Sequence, residues 1–587
     1  MIEKLKQVFG KTDDVFRRYP MVLLMAFLAA LSLICFAEND FNSHSEYFTF
    51  IRFAIVSMLG ISLMFAINML SQREGKTLIW QLLGVAFLVF FYFLLPDKEQ
   101  DFTEKYAYLL IPTFILSHVL VSFIAFFGEK REINFWQYNK NLFINIFLST
   151  VFTGVLTGGV MLAILAVDKL FNFNFSDRIY AQTFYFLAIF GSCFIFLLFN
   201  EKGLSHLEKD DTYPIVLKFF TQYILIPLLI IYAVILYFYS AKILINWELP
   251  RGWVSLLVLA YSVVGILALL LVHPLKAGAA KTWVKAFSKI FYYTLIPMLV
   301  LLYVAIFTRI LEYGYTEPRY FVLILALWMT SVVAYFVFSP KTTIKFIPVS
   351  LFAFGVFALT FPYLNAFAVA KRSQKTELVK VLSENNLLEN GKISFNKKVT
   401  DKVADDVADK FRFLNERNEE QFLLGYLKTE DQPLINNKNA VYTSQWNLRR
   451  RFKNVENTNT YNGSQQLIAK NKIINVDDYD FVVPINALYV QEGVSIGSDT
   501  IKAEQDTGKS GLTFRLSNKE EITVYADFTE LFYQHQNSFG PIPVQDLSKE
   551  FDLGNYHFKI VFDEVTKVTQ PVQNSYFGNA TVLIRKK

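Results

Sequence analysis

The sequence predicts a polytopic α-helical membrane protein with a C-terminal extracytoplasmic α+β domain, expected to be a β-sandwich. Three observations predict it. Hydrophobic residues are 53% of the 587-residue chain and charged residues only 18%, with 60 Phe, a balance that suits long apolar helices better than several soluble domains. A hydrocarbon core about 30 Å thick takes about 20 apolar residues per helical crossing, and runs of that kind recur eleven times before residue 370. Beyond that point the apolar pattern shortens and begins to alternate.

The spans are expected at 20–37, 48–70, 78–95, 106–127, 142–170, 179–199, 215–239, 253–273, 287–311, 320–338 and 344–370. Backbone polar groups cannot stay unpaired in lipid, so each must be a helix. The N-terminus, the even-numbered gaps and the span ends beside them carry 19 Lys and Arg, against 9 in the opposite gaps and their span ends. Short cytoplasmic loops collect such residues, so the N-terminus is expected in the cytoplasm and, after eleven crossings, the C-terminal domain outside it. The net charge of +6 has the same origin: the tail from Lys371 holds 29 basic and 29 acidic residues, leaving 28 and 22 for the membrane half. Nucleic-acid binding therefore has no support in the charge.

Three regions follow: a transmembrane domain at 1–370, a helical linker at 371–430 and a β-rich domain at 431–587. The linker has helical apolar spacing over 399–413 and 416–427. Segments at 479–485, 511–516, 521–526, 557–562 and 580–584 then alternate or run β-branched and aromatic between Gly, Asn and Asp turns.

One string recurs within the membrane half. Tyr223-Ile224-Leu225-Ile226-Pro227 lies in the seventh span and Tyr293-Thr294-Leu295-Ile296-Pro297 in the ninth, 70 residues later. Each is followed by a Pro-Arg loop and a Pro-Lys turn, which reads as a tandem duplication of a helical hairpin. Proline inside a span frees a carbonyl and bends the helix, so Tyr223, Pro227, Tyr293 and Pro297 are candidates to line a pathway. His118 joins them as the one ionisable side chain deep in an apolar run. Gly154 and Gly158, spaced i and i+4, could let another helix approach closely, within the chain or in a homo-oligomer. Arg449, Arg450, Arg451 and Lys453 are the candidate contact for an anionic lipid or glycan, against an ordinary exposed face.

The most specific string spans the junction. Phe361-Pro362-Tyr363-Leu364-Asn365 leads through Arg372-Ser373-Gln374 into a leucine-rich stretch closed by Asn390-Gly391-Lys392. This resembles the uncharacterised bacterial membrane-protein family called domain of unknown function 4153, in which a multi-span region ends in an aromatic motif, then Arg-Ser-Gln, a helix and a Gly-Lys turn. Leu364 and Asn365 stand where that pattern has a tryptophan and a small residue. The resemblance implies a bacterial cytoplasmic (inner) membrane protein and carries no activity.

Enzymatic elements are not expected. Cys35 and Cys193 both fall in apolar spans, His535 and His557 lack zinc-site spacing, and no phosphate loop or nucleophile elbow occurs. No cofactor or metal is expected. The reading is a transporter or permease-like protein for a small molecule or lipid-like cargo, with the bilayer as partner; the alternative is a non-transporting envelope scaffold or sensor whose outer domain binds another envelope protein.

Overall fold

A computed structural model describes residues 11–38, 44–128, 132–209, 214–246, 253–274, 282–436, 441–452, 454–456, 464–470, 473–488, 493–504, 511–517, 521–528, 530–532, 540–568 and 574–587. The chain divides into two compact units, Met1–Val455 and Glu456–Lys587.

Ten helices of the first unit are long and apolar enough to cross a membrane: Pro20–Ala37, Tyr47–Glu74, Thr77–Leu94, Lys105–Phe126, Glu132–Phe171, Asp177–Phe199, Leu217–Ile243, Ser255–Val272, Trp283–Tyr313 and Glu317–Phe338. Large apolar side chains such as Phe93, Phe147, Val155 and Phe238 stand exposed on them. Water would not tolerate so much apolar surface, and a bilayer covers it. The chain is a multi-pass membrane protein. Two apolar cores hold the helices together, one built mainly from the first six spans around Tyr19, Leu59, Met64 and Tyr138, the other from the next four around Ile226, Phe291, Leu295 and Met298. Spans eight and nine meet closely at Gly265, where a Cβ would lie 2.1 Å from the Phe291 ring.

The eleventh apolar run is divided in two. Its helix, Phe346–Thr360, is only 15 residues long. Pro362 disfavours helical geometry at the residue before it, Phe361 is extended, and Tyr363 takes a positive φ of 65°. A new helix, Ala366–Glu384, then starts under an N-cap: Asn365 Oδ1 accepts from the Ala368 N–H at 2.9 Å. The Tyr320 hydroxyl donates to the Leu364 carbonyl across this break.

The Arg-Ser-Gln string proves to be a clamp on the loop between spans nine and ten. Gln374 Nε2 donates to the Tyr313 and Tyr315 carbonyls at 3.0 and 2.9 Å, and Ser373 Oγ accepts from the Tyr315 N–H at 2.8 Å. Gly314 sits between them with φ 73°, where any side chain would meet Ser373 and Gln374. Arg372 donates to the Tyr363 carbonyl. Beyond the clamp, Asn390 and Gly391, with φ of 51° and 73°, make the two-residue turn joining the pair Leu388–Glu389 and Lys392–Ile393. The linker helix Asp401–Asn415, capped by Thr400, buries Ala404, Val407, Phe411 and Leu414 on one face, against Leu378 and Leu382 of the junction helix.

The second unit contains three four-stranded sheets among its described residues. One is an antiparallel meander of Val494–Ile496, Asp499–Glu504, Gly511–Ser517 and Glu521–Asp527. A second orders Ser548–Leu553, Tyr556–Phe562, Ala580–Lys586 and Phe481–Pro484, all antiparallel. The third pairs Gly540–Val544 in parallel with Ser464–Ala469, which continues to Glu564–Val568 and Asn574–Phe577. Alternate residues of Tyr556–Phe562 are buried, as a half-exposed strand requires. The Phe514 ring packs 4.8 Å from Phe551 and 5.9 Å from Phe558, joining the first two sheets face to face.

Candidate functional site

Neither Tyr-x-Leu-Ile-Pro string contributes to the wall of the cavity that holds His118. Tyr223 and Tyr293 are 49% and 58% exposed, while Ile226, Leu295, Met298 and Leu302 pack in an apolar core with no exposure at all. Pro227 is half-buried and Pro297 exposed beside this packed apolar core. The strings also differ in conformation. In the seventh span the chain widens into a π-helical turn, Phe220–Leu225, just before Pro227, one way to absorb the proline's missing N–H and bulky ring. In the ninth, Pro297 lies within one α-helix, Thr282–Tyr313. There the Thr294 carbonyl, in the turn before the proline, accepts from the Tyr237 hydroxyl at 3.0 Å.

His118 falls elsewhere, on the wall of a cavity of about 790 Å³ inside the membrane half. Spans two, four, five, six and eight and the short eleventh helix contribute to the wall, with Val22 from the first. Most of the surface is apolar, from residues such as Phe65, Phe143, Phe196 and Leu271. The sixth span reaches the cavity through a second π-helical turn, Phe186–Gly191, which carries Ala188 and Ile189.

The polar groups on the wall are tied to backbone. The Ser122 hydroxyl donates to the Val119 carbonyl at 2.7 Å, Thr150 to Ile146 at 2.9 Å and Ser192 to Ile189 at 3.1 Å. Ser62 Oγ lies 3.2 Å from the Leu59 carbonyl and 2.7 Å from Ser117 Oγ, and Ser117 in turn donates to Phe114. Asn139 spends both amide protons, on the carbonyls of Ser122 at 3.0 Å and Phe135 at 2.9 Å. Trp136 Nε1 donates to Leu270 at 2.7 Å. His118 Nδ1 lies 2.8 Å from the Phe114 carbonyl; a carbonyl only accepts, so this nitrogen carries a proton, and in the neutral tautomer Nε2 keeps its lone pair. Lys140 is the one formally charged residue on the wall, its ammonium 5.8 Å from the centre of the Trp136 ring.

The remaining candidates separate from this cavity. A Cβ on Gly154 or Gly158 would meet nothing within 4 Å, so these glycines do not admit another helix of the same chain. Arg449 is occupied inside the linker, donating to Asp401 at 2.7 Å and to Asp405. Arg451 Nε donates to Asp431 at 2.7 Å. Two members of the cluster are thus engaged in ion pairs within the linker, while Arg450 is exposed and Lys453 lies outside the described residues. His535 also lies outside them, and among the described residues no group of three metal-ligating side chains converges.

Sequence reasoning found His118 from the cost of burying an imidazole, and missed Ser62, Asn139 and Lys140. A signal existed: the fifth helix carries Asn139, Lys140 and Asn141 directly ahead of its long apolar run. Intramembrane polar residues of this kind face the protein interior.

A multi-span helical bundle, a cavity among its helices and a β-rich C-terminal unit define a class of polytopic membrane protein. The chain belongs to the family described as Domain of unknown function (DUF4153), whose profile matches residues 22–389. It is similar to the uncharacterized protein PM1469 of Pasteurella multocida (strain Pm70), with 25% identity over 517 residues, covering 85% of this chain and 83% of that protein. No solved structure matches the chain significantly.

Proposed function

We propose that the membrane half binds a lipid-like amphiphile in the cavity beside His118 and moves it within or across the bilayer. The observation that carries this reading is the cavity itself: about 790 Å³ among membrane helices, apolar over most of its wall, with a few placed polar groups, as small-molecule sites are. The near-absence of charge on the wall suits a lipid-like cargo better than an ion. The sixth span meets the cavity at a π-helical turn, a feature frequent at functional sites.

Full-length protein extracted in mild detergent is expected to retain an amphiphile detectable by native mass spectrometry. Ser192→Trp, which fills the cavity, is expected to release it and to slow transfer of a fluorescent lipid analogue between leaflets of reconstituted vesicles. Retention and transfer unaffected by that substitution would overturn the reading.

The membrane is proposed to be the bacterial cytoplasmic one, with the N-terminus inside and the β-rich unit outside. Besides the charge bias, the short eleventh helix supports this. It starts beside the inner ends of spans four and five, where the Ile344 N–H donates to Glu132 and Lys345 to Phe126. It ends near Tyr320, at the opposite end of the tenth span. A reporter fused after Lys587 is expected to be active only in a form that works outside the cytoplasm.

A scaffold or sensor is the second reading, favoured by one observation: the linker is fastened to the membrane half by the Gln374 clamp and by an ion pair between Glu317 and Arg417. Unchanged leaflet transfer, with signalling lost on cutting these ties, would favour it over transport.

A further inference from the structure

The hydrogen-bonding chemistry of the cavity is one-sided. Its serine and threonine hydroxyls have their protons committed to a carbonyl or to another hydroxyl, and Asn139 and Trp136 have spent theirs on backbone. What the hydroxyls and the Asn139 amide oxygen still present is lone pairs. His118 adds another at Nε2, because its Nδ1 proton is held by Phe114. No carboxylate lies on the wall, and Lys140 is the single side chain there that brings a cationic donor.

A ligand head must complement that pattern. Phosphate and carboxylate oxygens are acceptors, and against a wall of acceptors both sides go unsatisfied in a medium without water to compensate. A hydroxyl donates where the wall accepts.

We infer that the cavity selects an amphiphile with a neutral, hydroxyl-bearing head, such as a long-chain alcohol or a monoacylglycerol, over one with an anionic head of the same chain length. The inference rests on the cavity being a ligand site, and it names the class of ligand.

The test uses full-length protein in detergent and four chain-matched probes: a fatty alcohol, a 1-monoacylglycerol, a fatty acid and a lysophosphatidic acid, with binding read by native mass spectrometry. The alcohol and the monoacylglycerol are expected to bind at least about tenfold more tightly than the two anions, the ratio that one well-made hydrogen bond of about 1.4 kcal/mol gives. Thr150→Val and His118→Phe keep the shapes and remove an acceptor each, and either is expected to cut that preference several-fold. If His118→Phe fails to fold, Thr150→Val decides. Tighter binding of the anions, abolished by Lys140→Gln, would overturn the donor-head inference while leaving the cavity as a ligand site. Equal binding of all four, unchanged by Ser192→Trp, would overturn the cavity reading as well.

Discussion

Glu317 and Arg417, 100 residues apart, form a buried bidentate ion pair: Arg417 Nε donates to Oε1 at 2.6 Å and Nη2 to Oε2 at 2.9 Å. Glu317 has no solvent exposure. The guanidinium also lies 3.4 Å from the centre of the Phe413 ring and donates to the Phe413 carbonyl at 2.9 Å. Glu317 opens the tenth span and Arg417 follows the first linker helix, so this pair fixes the linker to the end of the membrane half. With the charge satisfied on both sides, the desolvation that burial imposes is offset.

Removing one partner leaves the other charged and dry. Glu317→Gln or Arg417→Met is expected to cost about 3–5 kcal/mol, read by reversible unfolding in mixed micelles. The double substitution Glu317→Leu with Arg417→Met is expected to recover most of that loss. A single variant as stable as the parent would show that the pair does not hold the linker.

Arg451 answers Asp431, which is 2% exposed. Arg451→Ala is expected to destabilise by about 1–2 kcal/mol, below the cost of breaking a fully buried pair because the arginine itself is partly exposed. Binding to vesicles of anionic lipid should stay at the parent level in a flotation assay. A drop in vesicle binding with unchanged stability would support the anion-contact reading of this cluster.

Acid should loosen the junction helix. Burial by itself pushes the Glu419 carboxyl up, but hydrogen bonds from Lys375 and Lys371 outweigh it and hold the group below its ordinary value. The folded value is the lower one, so the stabilisation is fully present above the unfolded glutamate value of about 4.3 and is lost as pH falls through the folded value. Melting temperatures measured from pH 6 downward should fall more steeply below about pH 4.3 in the parent than in Lys375→Met.

Spans eight and nine meet where Gly265 faces Phe291. Gly265→Val would place atoms inside the ring, and overpacking of this kind is expected to cost about 1–3 kcal/mol. Phe291→Ala in the same chain should return part of it. Additive losses in the double variant, measured by unfolding, would mean that the two residues do not share this contact.

Much of the architecture could be read from the chain because its cause is local. A run of about 20 apolar residues must be a helix in lipid whatever surrounds it. The alternation in 557–562 likewise required a strand with one buried face. The junction string was recognisable, but its work was not: Asn365 is a cap, and Gln374 grips a loop some 60 residues earlier in the chain. Those contacts belong to a fold in which the two segments lie side by side.

The site divides in the same way. His118 stood out because an imidazole among apolar residues is costly anywhere in a span. Its neighbours Ser62, Asn139 and Thr150 come from two other helices, and hydropathy does not say which helices adjoin. The Tyr-x-Leu-Ile-Pro repeat shows the converse. Its words were plain, yet one copy sits at a π-helical turn and the other in a continuous α-helix.

The sequence by itself therefore determined the membrane helices, the β-rich region and the unusual status of His118, since each follows from what a residue costs in water or in lipid. Only the tertiary structure decided where the cavity lies, that Glu317 meets Arg417, and that Arg449 and Arg451 pair with aspartates. Those outcomes depend on packing between segments far apart in the chain, where shape and charge are matched in space and leave no local pattern to read.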